Sequence, residues 1–276
     1  MTAPRTALVT GSTDGIGKAT ALGLARAGFR VIIHGRNRPK VDHALAEVQA
    51  AVPGADVLGV SFDLGSFATV RRGAKEILDK VDALQVLVQN AGIYANERVV
   101  VTEGLEATLA VNHVGHVLLT ELLMPLLLRS APARVIVVAS VAHTRGRIHV
   151  GDLSLAAAYT GYAAYAQSKL ANVMHALDLA EGHDPAQLAA YSIHPGVIST
   201  KLLRDGFAGM RGAGVTAGAA QQVKLATADT IAEPSGTYYN EGVPTPLGAV
   251  ARDATARAAL RTETRRFAGL DPDAPA

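Results

Sequence analysis

The 276-residue sequence predicts an α/β protein with a doubly wound, mostly parallel sheet of about seven strands and helices on both faces. Short, β-branched apolar runs alternate with helix-forming stretches along nearly the whole chain. A glycine-rich turn, Gly11 to Gly17, joins the first such run to the first helix. Later runs end in small or polar residues, at Asp63, Asn90 and Ser140, where open parallel sheets keep their ligand crevice.

Composition narrows the possibilities. At 49% hydrophobic and 18% charged, the chain can bury a sizeable core. Neither an internal repeat nor an interdomain linker interrupts it, so residues 1–276 are expected to form a single domain, with 1–100 mainly the cofactor-binding half. Only 4% is aromatic, which leaves Ala, Val, Leu and Ile to fill the interior. The lack of cysteine excludes disulfides, thiolate metal sites and cysteine nucleophiles. Net charge is +2 with Lys and Arg dispersed, which fits solvated helix faces rather than a nucleic-acid stripe. Nothing resembles a secretion signal, and the most apolar helix candidate, 117–128, contains Pro125 and falls short of the ~20 residues that span a bilayer. A soluble, cytoplasmic protein without a membrane anchor is expected.

The run 6–10 leads into Gly11-Ser12-Thr13-Asp14-Gly15-Ile16-Gly17, then a helix at 18–27 stopped by Gly28 and a strand at 30–34. Strand, glycine turn, helix and strand form the first half of a dinucleotide-binding (Rossmann) fold. Gly11 permits a tight turn, Gly15 lets backbone approach a pyrophosphate, and Gly17 allows close helix–sheet packing, with the helix N-terminus facing the phosphates. The spacing differs from the GxGxxG form. The second strand ends in His34-Gly35-Arg36-Asn37-Arg38, with no acid before Asp42. An acid there would bind the ribose diol of NAD(H), whereas an arginine accommodates the 2′-phosphate of NADP(H). Arg36 is the candidate, with Asn37 or Arg38 as helpers, so NADP(H) is expected over NAD(H).

Helix, strand and helix follow at 41–51, 56–62 and 66–79, with Asp63-Leu64 at the strand end. Asp63 either accepts from an adenine amino group or caps the next helix. The strand 83–88 runs into Asn90-Ala91-Gly92, small enough for a cofactor ring to pass close to backbone. After a loop at 93–101, a long helical region at 104–129 contains Asn112, a poor mid-helix residue that is functional, kinking or solvent-facing. His113 and His116 lack a third metal ligand and read as packing or surface histidines. The strand 134–139 ends at Ser140, whose hydroxyl points into the crevice. A loop is expected at 141–160. In the helix 163–179, Tyr165 and Lys169 lie one turn apart on one face, where the ammonium favours the ionised phenol. A strand at 189–193 reaches His194-Pro195-Gly196. The stretch 201–214 is either a lid over an apolar substrate or a surface loop. A helix at 215–228, a last strand at 236–239, a helix at 253–267 and a frayed tail at 268–276 complete the chain.

These residues resemble the short-chain dehydrogenase/reductase family. The match runs through Thr10-Gly11-xxx-Gly15-Ile16-Gly17, Asn90-Ala91-Gly92, Asn112, Ser140, Tyr165-xxx-Lys169 and Pro195-Gly196, in family order, over nearly the whole chain. Val111-Asn112-His113-xx-His116, Tyr165-xx-Ser168-Lys169-Leu170-Ala171-Asn172 and His194-Pro195-Gly196-Val197 are most similar to the retinol-dehydrogenase-like branch. The resemblance implies Tyr165 as acid/base, Ser140 on the substrate oxygen, Lys169 on the nicotinamide ribose and lowering the Tyr165 pKa, and Asn112 anchoring a proton-relay water. It implies Gly11, Ser12, Thr13, Gly15 and Ile16 as the phosphate loop, and Asp63, Leu64, Asn90 and Val111 at adenine or ribose. Ile198 and Thr200 match carboxamide positions, and Pro195 joins the cofactor set. Gln89 and Ala139 depart from the frequent Asn and Ser. The glycine turn lacks the basic residue of many NADP enzymes, so the NADP(H) expectation leans on Arg36. Membrane-bound relatives of that branch carry an N-terminal anchor, which is not expected here. A homodimer or homotetramer packing the helices of Asn112 and Tyr165 is implied. The expected reaction moves a hydride between nicotinamide and a small-molecule ketone, aldehyde or secondary alcohol. Its pocket would be shaped by Tyr94, Val141, His143, Tyr159, Tyr162 and 202–210, favouring a hydrophobic or aromatic compound. A non-catalytic NADP redox-sensing regulator would need the glycine turn but not the Ser140, Tyr165 and Lys169 set.

Overall fold

The computed structural model describes residues 4–101, 104–207 and 209–273. The first half alternates β1 (Thr6–Val9), α1 (Gly15–Arg26), β2 (Arg30–Gly35), α2 (Arg38–Ala51), β3 (Val57–Ser61), α3 (Phe67–Lys80) and β4 (Val86–Gln89). A short α4 (Ala107–Leu109) runs through a π-helical turn (Ala110–Val114) into α5 (Gly115–Arg129), followed by β5 (Ala133–Val138) and a 3-10 turn (Val141–Arg145). Then come α6 (Gly161–Gly182), β6 (Leu188–His194), α7 (Lys201–Gly206) and α8 (Val215–Thr227). The chain closes with β7 (Tyr238–Asn240), β8 (Val243–Thr245), α9 (Ala249–Arg252) and α10 (Ala254–Ala268).

One sheet orders these strands β3-β2-β1-β4-β5-β6-β7-β8, parallel throughout except for the antiparallel β7–β8 pair. Strand order reverses beside β1, between β2 and β4, and a crevice therefore opens at those carboxyl ends. Helices cover both faces, which is why β1, β4 and β5 read as continuous apolar runs. Leu8, Leu87, Val135 and Val137 pack with α3, α5 and α6, while Ala7, Val9, Val88 and Ile136 pack with α1, α2 and α8.

The eighth strand was not expected from the sequence. Glu241 and Gly242 both adopt positive φ, 49° and 86°, giving a two-residue hairpin that folds β8 back on β7. The helical run Ala107–Arg129, at 23 residues, lies within the expected region 104–129, but unlike the apolar candidate 117–128 it is long and apolar enough to cross a membrane by length and composition. Here 67% of its most apolar window is buried, with Leu118, Leu119 and Leu123 sealed in the core. The tail is tied down through Asp273. Gly269 ends α10 in the left-handed conformation, Arg71 donates to Ala268 O at 2.7 Å, and Arg265 Nε donates to Asp271 O at 2.5 Å. Residues 274–276 lie outside the described residues.

Helix α10 crosses the outer side of α5 and α6. Arg257 pairs with Asp178 and Glu181, Arg265 with Glu121 at 2.6 Å, and Thr264 with His113 at 3.0 Å. These are the helices to which the resemblance assigns packing between copies, and at these residues that side is covered from within the chain.

Candidate active site

A cleft of ≈ 650 Å³ runs over the carboxyl ends of the central strands, from Arg36 at one end to Phe207 and Met210 at the other. Its near wall is the glycine turn. Gly11 has φ +65°, and a Cβ there would lie 2.9 Å from the Ala91 backbone; one on Gly17 would lie 2.3 Å from Gly11 O. No side chain fits at either place, so β1, α1 and β4 converge on bare backbone. The buried His34 ring locks the turn: Nδ1 accepts from Gly11 N at 3.1 Å and Nε2 donates to Phe62 O at 3.0 Å. Burial drops its pKa to about 4, which keeps this ring neutral.

Gly11, Thr13, Gly15 and Ile16 line the cleft, and Ser12 does not. Its hydroxyl donates to Val9 O at 2.7 Å and accepts from His34 N at 2.9 Å, while its own N–H donates to His34 O. Ser12 is therefore a strut beneath the turn. Asn37 is also corrected: its side chain accepts from Lys40 N at 3.1 Å as the N-cap of α2, away from the cleft. Arg36 does line the cleft, exposed and without an ion-pair or hydrogen-bond partner among the described residues. Asp63 and Leu64 line it too, with Asp63 Oδ1 accepting from Gly65 N at 2.8 Å.

Asn90, Ala91, Gly92 and Val111 form the floor. Asn112 is fully buried and lies in the π-helical turn, so its poor helix propensity accompanies a local change of winding. Its amide pairs both ways with Ile93, accepting from N at 2.8 Å and donating to O at 3.0 Å, and donates to Ser168 Oγ at 3.0 Å. The loop after β4 and helix α6 are thereby joined. A Cβ on Gly92 would lie 3.4 Å from Asn112 Oδ1 and 3.5 Å from Lys169 Nζ.

Ser140, Tyr165 and Lys169 meet at the centre. Ser140 caps the 3-10 turn, Oγ accepting from Ala142 N at 3.2 Å, and its hydroxyl is close enough to Tyr165 to act on the phenol's pKa. Burial raises the Tyr165 pKa to about 12, against the smaller lowering effect of Ser140. This reverses the expectation from helical spacing. Lys169 Nζ donates to Val138 O at 2.9 Å and sits 5.6 Å from the Tyr165 ring centroid, and burial draws its own pKa down to about 8. Desolvation is the largest cause at both groups.

Pro195, Ile198 and Thr200 also line the cleft, and a Cβ on Gly15 would lie 3.6 Å from Thr200 Cγ2. Beyond Tyr165 the cleft is lined largely by Val141, Tyr162, Leu202, Leu203, Phe207 and Met210, with Thr144, Arg145 and Lys201 as its polar members. Tyr94 and Phe207 stack around Tyr165 at centroid separations of 5.4 and 5.9 Å. His143 instead packs edge-on against Tyr238 at 4.7 Å, and the Tyr159 hydroxyl donates to Ala95 O at 2.8 Å; neither lines the cleft. The expected lid begins as the short helix α7; Ala208 lies outside the described residues.

Sequence reading overlooked Thr10, His34 and Arg145. The run Thr10-Gly11 and the unusual His34 at a strand end were the available signals for the first two. Nothing in the sequence distinguished Arg145 from other loop arginines.

Comparison with known proteins agrees with this geometry. The family model described as short chain dehydrogenase matches residues 5–210. Retinol dehydrogenase 12 of Bos taurus is 40% identical over 200 residues, 72% of this chain but only 63% of that protein, so this chain spans less than two thirds of its length. Retinol dehydrogenase 13 of Homo sapiens is 34% identical over 97% of this chain and 85% of its own length. Among solved structures, the Pseudomonas aeruginosa RhlG/NADP active-site complex superposes with TM-score 0.71 at 28% identity, covering 86% of this chain and 94% of that one. With its switch-point cleft, glycine turn and Ser140–Tyr165–Lys169 cluster on one sheet, the chain belongs to the short-chain dehydrogenase/reductase family, in its retinol-dehydrogenase-like branch.

Proposed function

We propose that the protein is an NADP(H)-dependent oxidoreductase interconverting an apolar ketone or aldehyde and its alcohol. The observation that carries the reading is that Ser140, Tyr165 and Lys169 line one cleft with Arg36, which has no ion-pair or hydrogen-bond partner among the described residues. The residues fit a dinucleotide: the open backbone at Gly15 and the N-terminus of α1 would hold the phosphates, Asp63 and Val111 the adenosine, and Lys169 the inner ribose. When bound, NADPH supplies the hydride. Arg36 supplies a cation for the 2′-phosphate where no carboxylate competes. The NADP of the 28%-identical Pseudomonas complex supports that preference.

In the reducing direction the substrate oxygen lies between the Ser140 and Tyr165 hydroxyls. Ser140 donates to it as negative charge develops. Tyr165, protonated near neutral pH with its pKa about 12, transfers its proton to that oxygen. Lys169 then lies beside a nascent phenolate and favours it electrostatically. The largely apolar lining, and the retinol in the names of two relatives, support a hydrophobic substrate.

The test is NADPH and NADH consumption by the purified protein with a panel of apolar aldehydes and ketones. Oxidation above background with NADPH is expected. Tight NADPH binding without turnover of any carbonyl would instead favour a cofactor-sensing regulator.

A further inference from the structure

We propose that the substrate is an apolar carbonyl compound carrying a carboxylate at its far end, bound by Arg145 at the outer rim of the cleft; the inference rests on the proposed function and names the substrate class of that site. Two cations line the substrate half, Lys201 and Arg145. Lys201 is already paired with Asp205, one turn along α7. Arg145 lines the cleft, is exposed, and has no hydrogen-bond or ion-pair partner among the described residues. The two acids among the described lining residues, Asp14 and Asp63, sit in the cofactor half and accept from Gly15 N and Gly65 N. The cleft thus offers one uncompensated cation at each end, Arg36 beside the cofactor's ribose position and Arg145 beyond Ser140.

Arg145 is also held at a defined distance from the reacting centre. The 3-10 turn starts from the Ser140 cap and ends at Arg145. The ring of His143 anchors it to Ser140 O at 2.7 Å, and a Cβ on the next residue, Gly146, would lie 2.5 Å from Ala166 O. At ~2.0 Å rise per residue, the turn carries Arg145 on the order of 10 Å from Ser140. Val141, Tyr162 and Met210 line the same cleft and remain 44%, 38% and 51% exposed, with Thr144 the polar neighbour of Arg145. A single planar guanidinium matches a carboxylate in two parallel hydrogen bonds. An apolar spacer of several carbons between carbonyl and carboxylate fits that backbone separation.

The experiment compares ω-oxo carboxylic acids of increasing chain length with their methyl esters and a short α-oxo acid, using NADPH and the full chain. The wild-type protein should prefer the longer acid over its ester by about tenfold in kcat/KM, through KM, and this preference should shrink as salt rises. Arg145→Gln should bring the acid-to-ester ratio close to one, and Arg145→Lys should restore part of it. Equal wild-type use of acid and ester, or an unchanged ratio in Arg145→Gln, would overturn the proposal while leaving the carbonyl reductase reading intact. Failure to turn over any aldehyde or ketone would instead reject the proposed function, and this inference with it.

Discussion

Thr10 and His116, 106 residues apart, share a buried hydrogen bond of 2.8 Å that ties the first strand to the turn carrying Asn112. His116 Nδ1 donates to Asn112 O at 3.0 Å, so Nε2 must be the acceptor and the Thr10 hydroxyl the donor. The same hydroxyl accepts from Asn90 N and Ala91 N at 2.9 and 3.0 Å. One threonine therefore sets the end of β4, and through His116 the carbonyl of the π-helical turn. Thr10→Val would leave Ala91 N unpaired and Asn90 N with Val88 O alone, at 3.0 Å, and should cost about 1–3 kcal/mol in denaturant melts, with weaker NADPH binding. Thr10→Ser should recover most of both; equal losses in Ser and Val would show that packing, not the hydroxyl, matters.

Removing the phenol of Tyr165 should separate binding from chemistry. Tyr165→Phe keeps the ring contacts to Tyr94 and Phe207 and deletes the proton and the hydroxyl on which Ser140 acts. Turnover should fall ~10²–10⁴-fold with the NADPH dissociation constant little changed. Wild-type turnover in this variant would remove Tyr165 from the mechanism.

Cofactor choice is expected to depend on Arg36. Its neighbours Asn37 and Ser12 are committed to capping and to the strut beneath the turn, so neither can replace its charge. Arg36→Ala should weaken NADPH by roughly tenfold or more while changing NADH far less, the difference being about 1.4 kcal/mol per decade. Fluorescence titration with both cofactors reads this directly.

The buried histidines set an acid limit on stability. His34, His116 and His175 have folded pKa values near 4, 3 and 4, lowered chiefly by burial from 6.5. Between these values the unfolded chain binds protons that the folded chain refuses, so stability is lost as pH falls and is unaffected by these groups above about 7. Melts from pH 7 to pH 5 should show proton uptake on unfolding from these three rings rising towards about three. A flat profile would mean that the rings are solvated.

Helix α10 should behave as part of the core. Arg257 and Asp178 have side chains only 10% and 13% exposed, so Arg257→Ala strands a carboxylate and should cost about 3 kcal/mol. With this helix across α5 and α6, the full chain is expected to sediment as a single copy, contrary to the assembly that family resemblance implied. A stable dimer would require a surface elsewhere on the molecule.

Local sequence determined the architecture, the glycine turn and the identities at the centre of the cleft. Backbone constraints and alternating apolar runs act over a few residues, and Gly11, Asn90, Ser140 and Tyr165 stand at positions such patterns mark. The sequence also showed that Asn112 does not suit a regular helix, though only the structure places it in a π-helical turn facing Ile93 and Ser168. What the tertiary structure decided are the quantities that depend on burial and long-range pairing. Ser12 and Asn37 look like ligand contacts in order along the chain, yet their hydrogen bonds go to Val9 and Lys40. Tyr165 and Lys169 look like a charge pair at four-residue spacing, but desolvation moves the phenol up and the ammonium down. Neighbour spacing is written in the sequence; solvent exclusion arises only when β5, β6 and α6 close around the site, because its strength depends on atoms contributed from every part of the chain.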